Sequence, residues 1–243
     1  MSENKRIAVT IPTYNEKDTI VPIMEEVHKN LPQAEILVVD DNSPDGTSEV
    51  VRNFIRKHDF VELRLRKKKE GLGRAYVDGF SYLIEKGFGL VFQMDADFSH
   101  DPRYLPEMLG KIKDGADVVV GSRYVSGGGT ENWSLLRRFI SRGGSFYAST
   151  VLGLKVKDVT AGYKCWKADV LKDIIATELL LSGFGFQIEM AFRTKISGAV
   201  VREVPIVFPD REIGESKMSG SIFKEALFGV WKLRCEGKKI LEK

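Results

Sequence analysis

The chain has 243 residues, of which 43% are hydrophobic and 29% are charged. This composition is typical of a globular protein with a substantial core and excludes a disordered or fibrous chain. The 37 Lys and Arg residues against 34 Asp and Glu residues leave a net charge of +3, which is too small to indicate a nucleic-acid partner.

Short apolar runs alternate with segments of helical length through the first half of the chain. The runs that predict buried strands are 7–11, 36–39, 61–65, 90–94 and 118–120. Between them, apolar residues recur at helical spacing, as in Ile20, Ile23, Met24 and Val27. This alternation predicts an α/β fold, a mostly parallel doubly wound sheet with helices on both faces. The loops that follow the strands then meet at one edge, where such sheets bind ligands.

Several common catalytic motifs are missing from that edge. The first strand is followed by Pro12-Thr13-Tyr14-Asn15-Glu16, where a dinucleotide-binding fold would have GxGxxG. The chain has no Walker A loop, no HExxH and no GxSxG. These absences argue against dinucleotide, P-loop, zinc-protease and serine-hydrolase chemistry. The cysteines, Cys165 and Cys235, are too few for a disulfide framework and form no CxxC zinc pattern.

Two carboxylates, Asp95 and Asp97, follow the fourth predicted strand one residue apart. A strand-end turn with solvated side chains would give the same pattern, and the spacing alone does not choose between the two interpretations. The functional interpretation is a site for Mg²⁺ or Mn²⁺, which take oxygen ligands and leave room for substrate phosphates. A metal there would stabilise the charge that develops on a diphosphate leaving group.

Other residues with suitable chemistry follow neighbouring strands. Asp41 lies in a segment rich in turn formers. Its carboxylate could therefore belong to a solvated turn, or it could contact the base or ribose of a nucleotide. Tyr14 has a ring that could stack on a base, and Glu16 could accept a hydrogen bond from a sugar hydroxyl. In the second half, Arg123 and the loop at 211–217 combine basic side chains with glycine, which favours an anion site because guanidinium groups bind phosphate bidentately.

Taken together, the motifs resemble those of a known family. They occur in chain order at 12–16 (PTYNE), 40–47 (DDNSPDGT), 71–75 (GLGRA), 95–100 (DADFSH), 121–124 (GSRY) and 211–217 (REIGESK). The chain resembles the dolichol-phosphate mannosyltransferases that lack transmembrane helices, in glycosyltransferase family 2 with the GT-A fold, over roughly residues 6–235. Two departures stand out: Ser99 replaces a Gln that joins the metal shell in some relatives, and Asn42 replaces a commoner Gly.

The resemblance implies specific roles for individual residues. Those expected at the nucleotide are Pro12, Tyr14, Glu16, Val39 and Asp41, with the backbone of Ala96 beside the nucleotide-sugar. Asp95 and Asp97 are expected to hold Mg²⁺ or Mn²⁺. Those expected to contact donor or acceptor phosphates are Arg123, Arg211 and Lys217, which with Asp97 form the catalytic set, while Arg137 and Ser141 are expected by the acceptor phosphate.

The implied reaction is inverting transfer of mannose from GDP-mannose to dolichyl or another polyprenyl phosphate. A different hexose from another nucleotide-sugar is one alternative, and a non-catalytic nucleotide-sugar-binding subunit is another. The implied organisation is a single GT-A catalytic domain with a nucleotide-sugar half at about 6–125, an acceptor half at about 126–218 and a C-terminal helix and tail at 219–243.

The C-terminal segment 219–243 combines apolar residues with six basic and three acidic ones. It is either a helix packed on the core with a solvated tail or an interfacial helix on a membrane. Because no signal peptide is evident and no run approaches the ~20 apolar residues of a membrane span, the sequence predicts a cytoplasmic protein. We expect it on the cytosolic face of the endoplasmic reticulum or plasma membrane, attached by this segment or by a small membrane-anchoring subunit.

Overall fold

A computed structural model describes residues 5–183, 185–209 and 220–242, with backbone alone for 220–227. The strands are β1 (Ile7–Thr13), β2 (Ala34–Asp40), β3 (Val61–Leu65), β4 (Leu90–Gln93), β5 (Val118–Ser122), β6 (Gly129–Thr130), β7 (Lys164–Lys167), β8 (Val201–Pro205) and β9 (Val207–Phe208). The helices are α1 (Ile20–Asn30), α2 (Thr47–Ile55), α3 (Leu72–Glu85), α4 (Leu105–Lys113), α5 (Leu135–Leu152), α6 (Ala168–Ile174), α7 (Gly185–Ser197) and α8 (Gly220–Glu236).

Seven strands form one twisted sheet in the order β3-β2-β1-β4-β7-β5-β8. All neighbours are parallel except β7, which runs antiparallel to both β4 and β5. The predicted α/β class and all five predicted strands are confirmed. The strand β7 was not predicted, because its sequence Lys-Cys-Trp-Lys has no apolar run. A second sheet pairs β6 with β9.

Helices cover both faces of the sheet and bury its apolar side chains. The core on one face packs α1, α2 and α4 through residues such as Ile23, Phe54 and Met108. The core on the other face packs α3, α6 and α7 through residues such as Phe80 and Trp166. Because β1 leads to β2 on one side and pairs with β4 on the other, the loops after β1 and β4 diverge and leave a crevice at the carboxyl ends of the strands.

The closest approach of α3 to the sheet occurs at Gly79. A Cβ at this position would lie 2.8 Å from Cγ2 of Thr10 and 2.9 Å from Cγ2 of Val39, too close for any side chain. Glycine therefore lets the middle of α3 pack closely on β1 and β2.

Candidate active site at the carboxyl ends of the strands

The loops after β1 and β2 are joined by a buried carboxylate. Asp40 accepts hydrogen bonds from Oγ1 of Thr13 at 2.8 Å, and from N and Oγ of Ser43 at 2.9 and 2.6 Å. The side chain is fully buried. Asp40 therefore holds the two loops together, and its neighbour Asp41 is also buried, at 5% exposure.

The backbone of the first loop is also fixed by side chains of the second. The amide of Asn15 donates to Oγ of Ser43 at 3.0 Å, and the amide of Glu16 donates to Oγ1 of Thr47 at 3.1 Å. Asn15 and Asn42 both have left-handed backbone, with φ of 61° and 58°. Asn tolerates this conformation better than most residues, so Asn42 fits its position without glycine.

Asp41 and Tyr14, both expected at the nucleotide, contact a basic segment that the sequence analysis did not single out. The Asp41 carboxylate accepts a hydrogen bond from Arg66, whose other nitrogen donates to Glu70 at 2.8 Å. Burial raises the pKa of Asp41 above its ordinary value, and the Arg66 charge offsets only part of that rise. The Lys69 ammonium lies 3.7 Å above the Tyr14 ring. The charged run 66–70 directly after β3 was the available sequence signal.

Asp95 is held by two buried rings. Tyr76 on α3 donates its hydroxyl to Oδ1 of Asp95 at 2.6 Å. The Asp95 amide donates to Nδ1 of His100 at 2.9 Å, and the His100 ring stacks on Tyr163 with 5.0 Å between ring centroids. Burial, and then the Asp95 charge, raises the pKa of Tyr76 well above its ordinary value, so this phenol stays a donor. Tyr76 was missed by the sequence analysis, because nothing local connects it to Asp95.

Asp97 is oriented by the residue two positions later. The amide and the hydroxyl of Ser99 both donate to Oδ1 of Asp97, and Phe98 between them has left-handed backbone at φ 57°. Ser99 is buried, so at this position it orients a carboxylate. Along the described ranges, no three His, Cys, Asp or Glu side chains converge as a metal cage. The two carboxylates fit a hard divalent ion that takes its other ligands from water and phosphates.

Arg123 at the end of β5 forms a buried ion pair. Its Nε and Nη2 donate to the two oxygens of Asp158 at 2.7 and 2.6 Å, and Nη2 also donates to Thr160 at 2.9 Å. Arg123 is 8% exposed and Asp158 is fully buried. The charge expected to meet a phosphate is thus held in place by a carboxylate 35 residues away.

Arg137 and Ser141 lie on the first half of α5, and both contact aromatic side chains. The Arg137 guanidinium carbon is 3.9 Å from the centroid of the Trp133 ring. Tyr124 donates its hydroxyl to Oγ of Ser141 at 2.6 Å. No role was predicted for either aromatic residue. Arg211 and Lys217, predicted to contact phosphates, lie outside the described residues.

Two polar side chains, Gln93 and Lys164, are buried side by side in the sheet. Lys164 on β7 is 1% exposed and donates to Oε1 of Gln187 at 2.6 Å. Burial lowers the pKa of Lys164 to about 7, although the Asp158 charge opposes this effect. Gln93 is next to Lys164 in register and is fully buried. An amine in this environment lies too deep to contact substrate.

Helix α5 has an exposed apolar face. The apolar residues that project from it are Leu135, Leu136, Phe139, Ile140 and Phe146. Phe139 and Phe146 are 78% and 73% exposed. The helix also carries three arginines and no acidic residue. In the C-terminal segment, α8 and the turn after it bury Val230 and Leu233 but expose Phe228 and Trp231. None of the helices in the described ranges is both long and apolar enough to cross a bilayer.

The family model described as Glycosyl transferase family 2 matches residues 8–175. The chain is 43% identical over 236 residues to undecaprenyl-phosphate mannosyltransferase of Micrococcus luteus, covering 96% of this chain and 97% of that protein. It is 42% identical over 233 residues to polyprenol monophosphomannose synthase of Mycolicibacterium smegmatis, covering 95% and 88%.

Solved structures of one enzyme share the fold. Glucosyl-3-phosphoglycerate synthase from Mycobacterium tuberculosis, in complex with phosphoglyceric acid, superposes with a TM-score of 0.71 at 16% identity, covering 96% of this chain and 80% of that one. Its complex with Mn²⁺, uridine-diphosphate and glucosyl-3-phosphoglycerate gives a TM-score of 0.69 at 16% identity, with the same coverage. At this identity the likeness concerns the fold alone.

Proposed function

The chain belongs to glycosyltransferase family 2 and has the GT-A fold, and we propose that it transfers mannose from GDP-mannose to a polyprenyl phosphate such as dolichyl phosphate. The observation that carries this proposal is identity of 43% and 42%, over nearly the whole chain, with two polyprenyl-phosphate mannosyltransferases. The carboxylates, hydroxyls and cations gathered at the carboxyl ends of the strands support it.

We assign the donor nucleotide to the ends of β1 and β2. Pro12 and Val39 are neighbours in register with buried side chains, so they would contribute backbone. Tyr14 and Glu16 have half-buried side chains, and Asp41, although buried, would contribute its carboxylate. Arg66 presents Asp41 in one orientation. The Lys69 ammonium lies on the Tyr14 ring and would have to move before a base stacked there. In its new position it could pair with a phosphate of the nucleotide.

Asp95 and Asp97 are the proposed ligands of Mg²⁺ or Mn²⁺. Bound there, the ion would stabilise the negative charge on the departing diphosphate. Tyr76 and His100 fix the position of Asp95, and Ser99 fixes Asp97, so the two carboxylates are preorganised. The backbone of Ala96 between them would lie beside the nucleotide-sugar.

The acceptor supplies its own nucleophile. A phosphate monoester has a second pKa of ~6 and is mostly a dianion at neutral pH, so no protein base is needed. One acceptor oxygen forms a bond to the anomeric carbon while the bond from that carbon to the diphosphate breaks on the opposite face, which inverts the configuration. The protein must hold two anions together, and Arg123, Arg137 and Ser141 supply positive charge and donors for this. Arg211 and Lys217 are proposed to add to them.

A transfer assay tests the proposal and its alternatives. The purified protein would be incubated with a polyprenyl phosphate and a panel of nucleotide-sugars, with Mg²⁺, with Mn²⁺ and with chelator. We expect mannolipid from GDP-mannose, and none with chelator. Faster transfer of glucose would contradict the donor assignment, and no transfer of any sugar would favour a non-catalytic subunit.

We also propose that the protein docks peripherally on the membrane through α5. Its apolar face and its arginines match an anionic lipid surface. Burying a large apolar side chain contributes ~1.5–3 kcal/mol, so removing two of them should weaken binding by at least roughly tenfold. The variant Phe139→Ser/Phe146→Ser should therefore lose flotation with phosphatidylcholine–phosphatidylglycerol vesicles.

The matched control is Phe228→Ser/Trp231→Ser on α8, which removes two exposed aromatic rings from the C-terminal segment. If this variant still floats with the vesicles, α5 is supported as the principal membrane contact. If this variant fails to float while the α5 variant still does, α8 is the principal contact instead. If the unaltered protein does not bind the vesicles, a membrane-anchoring subunit becomes the favoured route.

A further inference from the structure

The start of α5 fixes Arg137 from two directions. Ser134 precedes the helix and accepts a hydrogen bond from the Arg137 amide at 3.2 Å, which caps the first turn. The guanidinium then lies on the ring of Trp133 at 3.9 Å. A guanidinium is attracted to the face of an indole ring, which makes this contact specific in geometry. The long arginine side chain is therefore held against the body of the protein.

Trp133 itself is fixed by its surroundings. It is 8% exposed and packs edge-to-face on Phe208, with 5.6 Å between ring centroids at 84°. The Arg123 guanidinium carbon is 5.5 Å from the Trp133 ring centroid. Two like charges near each other repel, and a π-system that attracts both offsets part of that repulsion. The indole is thus positioned to keep Arg137 near Arg123.

Ser141 is oriented by a second aromatic residue. Tyr124 donates to Oγ of Ser141 at 2.6 Å, so the Ser141 oxygen serves as an acceptor and its own hydrogen is left to donate. Tyr124 directly follows Arg123, and the bond therefore ties α5 to the end of β5. Guanidinium and hydroxyl donors one helical turn apart are suited to an oxyanion.

We infer that Trp133 and Tyr124 are positioning residues for the acceptor phosphate, Trp133 acting through Arg137 and Tyr124 through Ser141. The inference rests on the proposed function, since it names what presents the acceptor-binding groups of that same site. Neither aromatic residue needs to touch the reacting atoms. Their removal should weaken acceptor binding and leave the donor site unchanged.

The test compares steady-state kinetics of the full chain on a short-chain, water-soluble polyprenyl phosphate, which removes the bilayer from the measurement. Trp133→Leu removes the ring and should raise the acceptor KM roughly 5- to 30-fold, with the KM for GDP-mannose unchanged. Trp133→Phe keeps an aromatic face and should stay within about threefold of wild type. Tyr124→Phe removes one hydrogen bond and should raise the acceptor KM roughly two- to tenfold.

A matched control is Tyr82→Leu. The Tyr82 ring centroid is 4.8 Å from the Arg64 guanidinium carbon and 4.7 Å from the Lys86 ammonium nitrogen. Tyr82 lies near the C-terminal end of α3. This variant loses cation–π contacts of the same kind and should keep both KM values. Thermal unfolding of each variant records any general loss of stability, which would affect both substrates.

The inference is overturned if Trp133→Leu leaves the acceptor KM unchanged, if both substrates' KM values rise together, or if Trp133→Phe is as impaired as Trp133→Leu. The last result would mean that an aromatic face under the Arg137 guanidinium is not what Trp133 contributes. Calorimetric Kd values for the short-chain polyprenyl phosphate give the same comparison without turnover. Absence of mannose transfer by wild type would refute the proposed function alone, since the Kd comparison still decides this inference.

Discussion

Removing the carboxylate of Asp158 should destabilise the protein more than an average core substitution. Asp158 is fully buried and accepts three hydrogen bonds from Arg123, one from the amide and two from the guanidinium. In Asp158→Ala the guanidinium stays buried without its counter-charge. Breaking a buried ion pair in this way costs about 3–5 kcal/mol. For a domain of this size that corresponds to a fall in Tm of roughly 6–20 °C.

Urea unfolding and thermal unfolding would measure this cost. The matched control is Asp117→Ala, because Asp117 also pairs with a cation, Lys167 at 2.8 Å, but is 26% exposed at its side chain. Its loss should cost about 1 kcal/mol or less, since water can solvate the remaining ammonium. The double variant Arg123→Met/Asp158→Ala should be less destabilised than the sum of its single variants, because the uncompensated charge is gone.

A free energy of unfolding for Asp158→Ala within about 1 kcal/mol of wild type would refute this reasoning. It would mean that water or another group neutralises the guanidinium. Strict additivity in the double variant would also contradict it, since additive costs indicate that the two side chains do not act as a pair.

Three further outcomes are expected. Asp97→Asn should abolish sugar transfer but shift Tm by no more than about 3 °C, because the side chain is only partly buried; a large loss of stability with residual transfer would contradict the metal assignment. Gly79→Ala should cost about 1–3 kcal/mol in urea unfolding because its Cβ would lie 2.8 Å from Thr10, and an unchanged midpoint would show that α3 can move away. Lys164 has its pKa lowered to about 7, so the unfolded chain binds more protons above that pH. Wild-type stability should therefore rise relative to Lys164→Met from pH 7 towards the ordinary lysine pKa, by at most about 1.4 kcal/mol per pH unit, and parallel pH profiles of the two proteins would refute the shift.

Most of the sheet could be predicted because its strands are apolar on both faces. The run Ile7–Ile11, for example, can only be buried, and the segments between such runs have helical spacing. The strand β7 could not be found in this way. It inserts antiparallel between two parallel strands, and its Lys164 reads as a surface residue although it is 1% exposed. Only the assembled sheet shows that a lysine lies there.

The candidate site likewise contains residues whose position could be predicted and residues whose contacts could not. That Asp41, Asp95 and Asp97 lie at one edge of the sheet could be predicted, because the parallel strands they follow all end there. The groups that orient them could not. Arg66 is 25 residues from Asp41 in the chain, and Tyr76 is 19 residues from Asp95. No local pattern encodes contacts at such separations.

The α/β class, the carboxylates at the strand ends and the cations in later loops all follow from the amino-acid sequence, because periodicity and strand-end position are local properties. The +3 net charge was uninformative, since it averages over groups whose environments differ. That Arg123 is held by a buried carboxylate, and that the apolar face of α5 is exposed, became evident only from the tertiary structure. Burial and partner choice depend on which distant elements pack together, and that is settled only when the chain has folded.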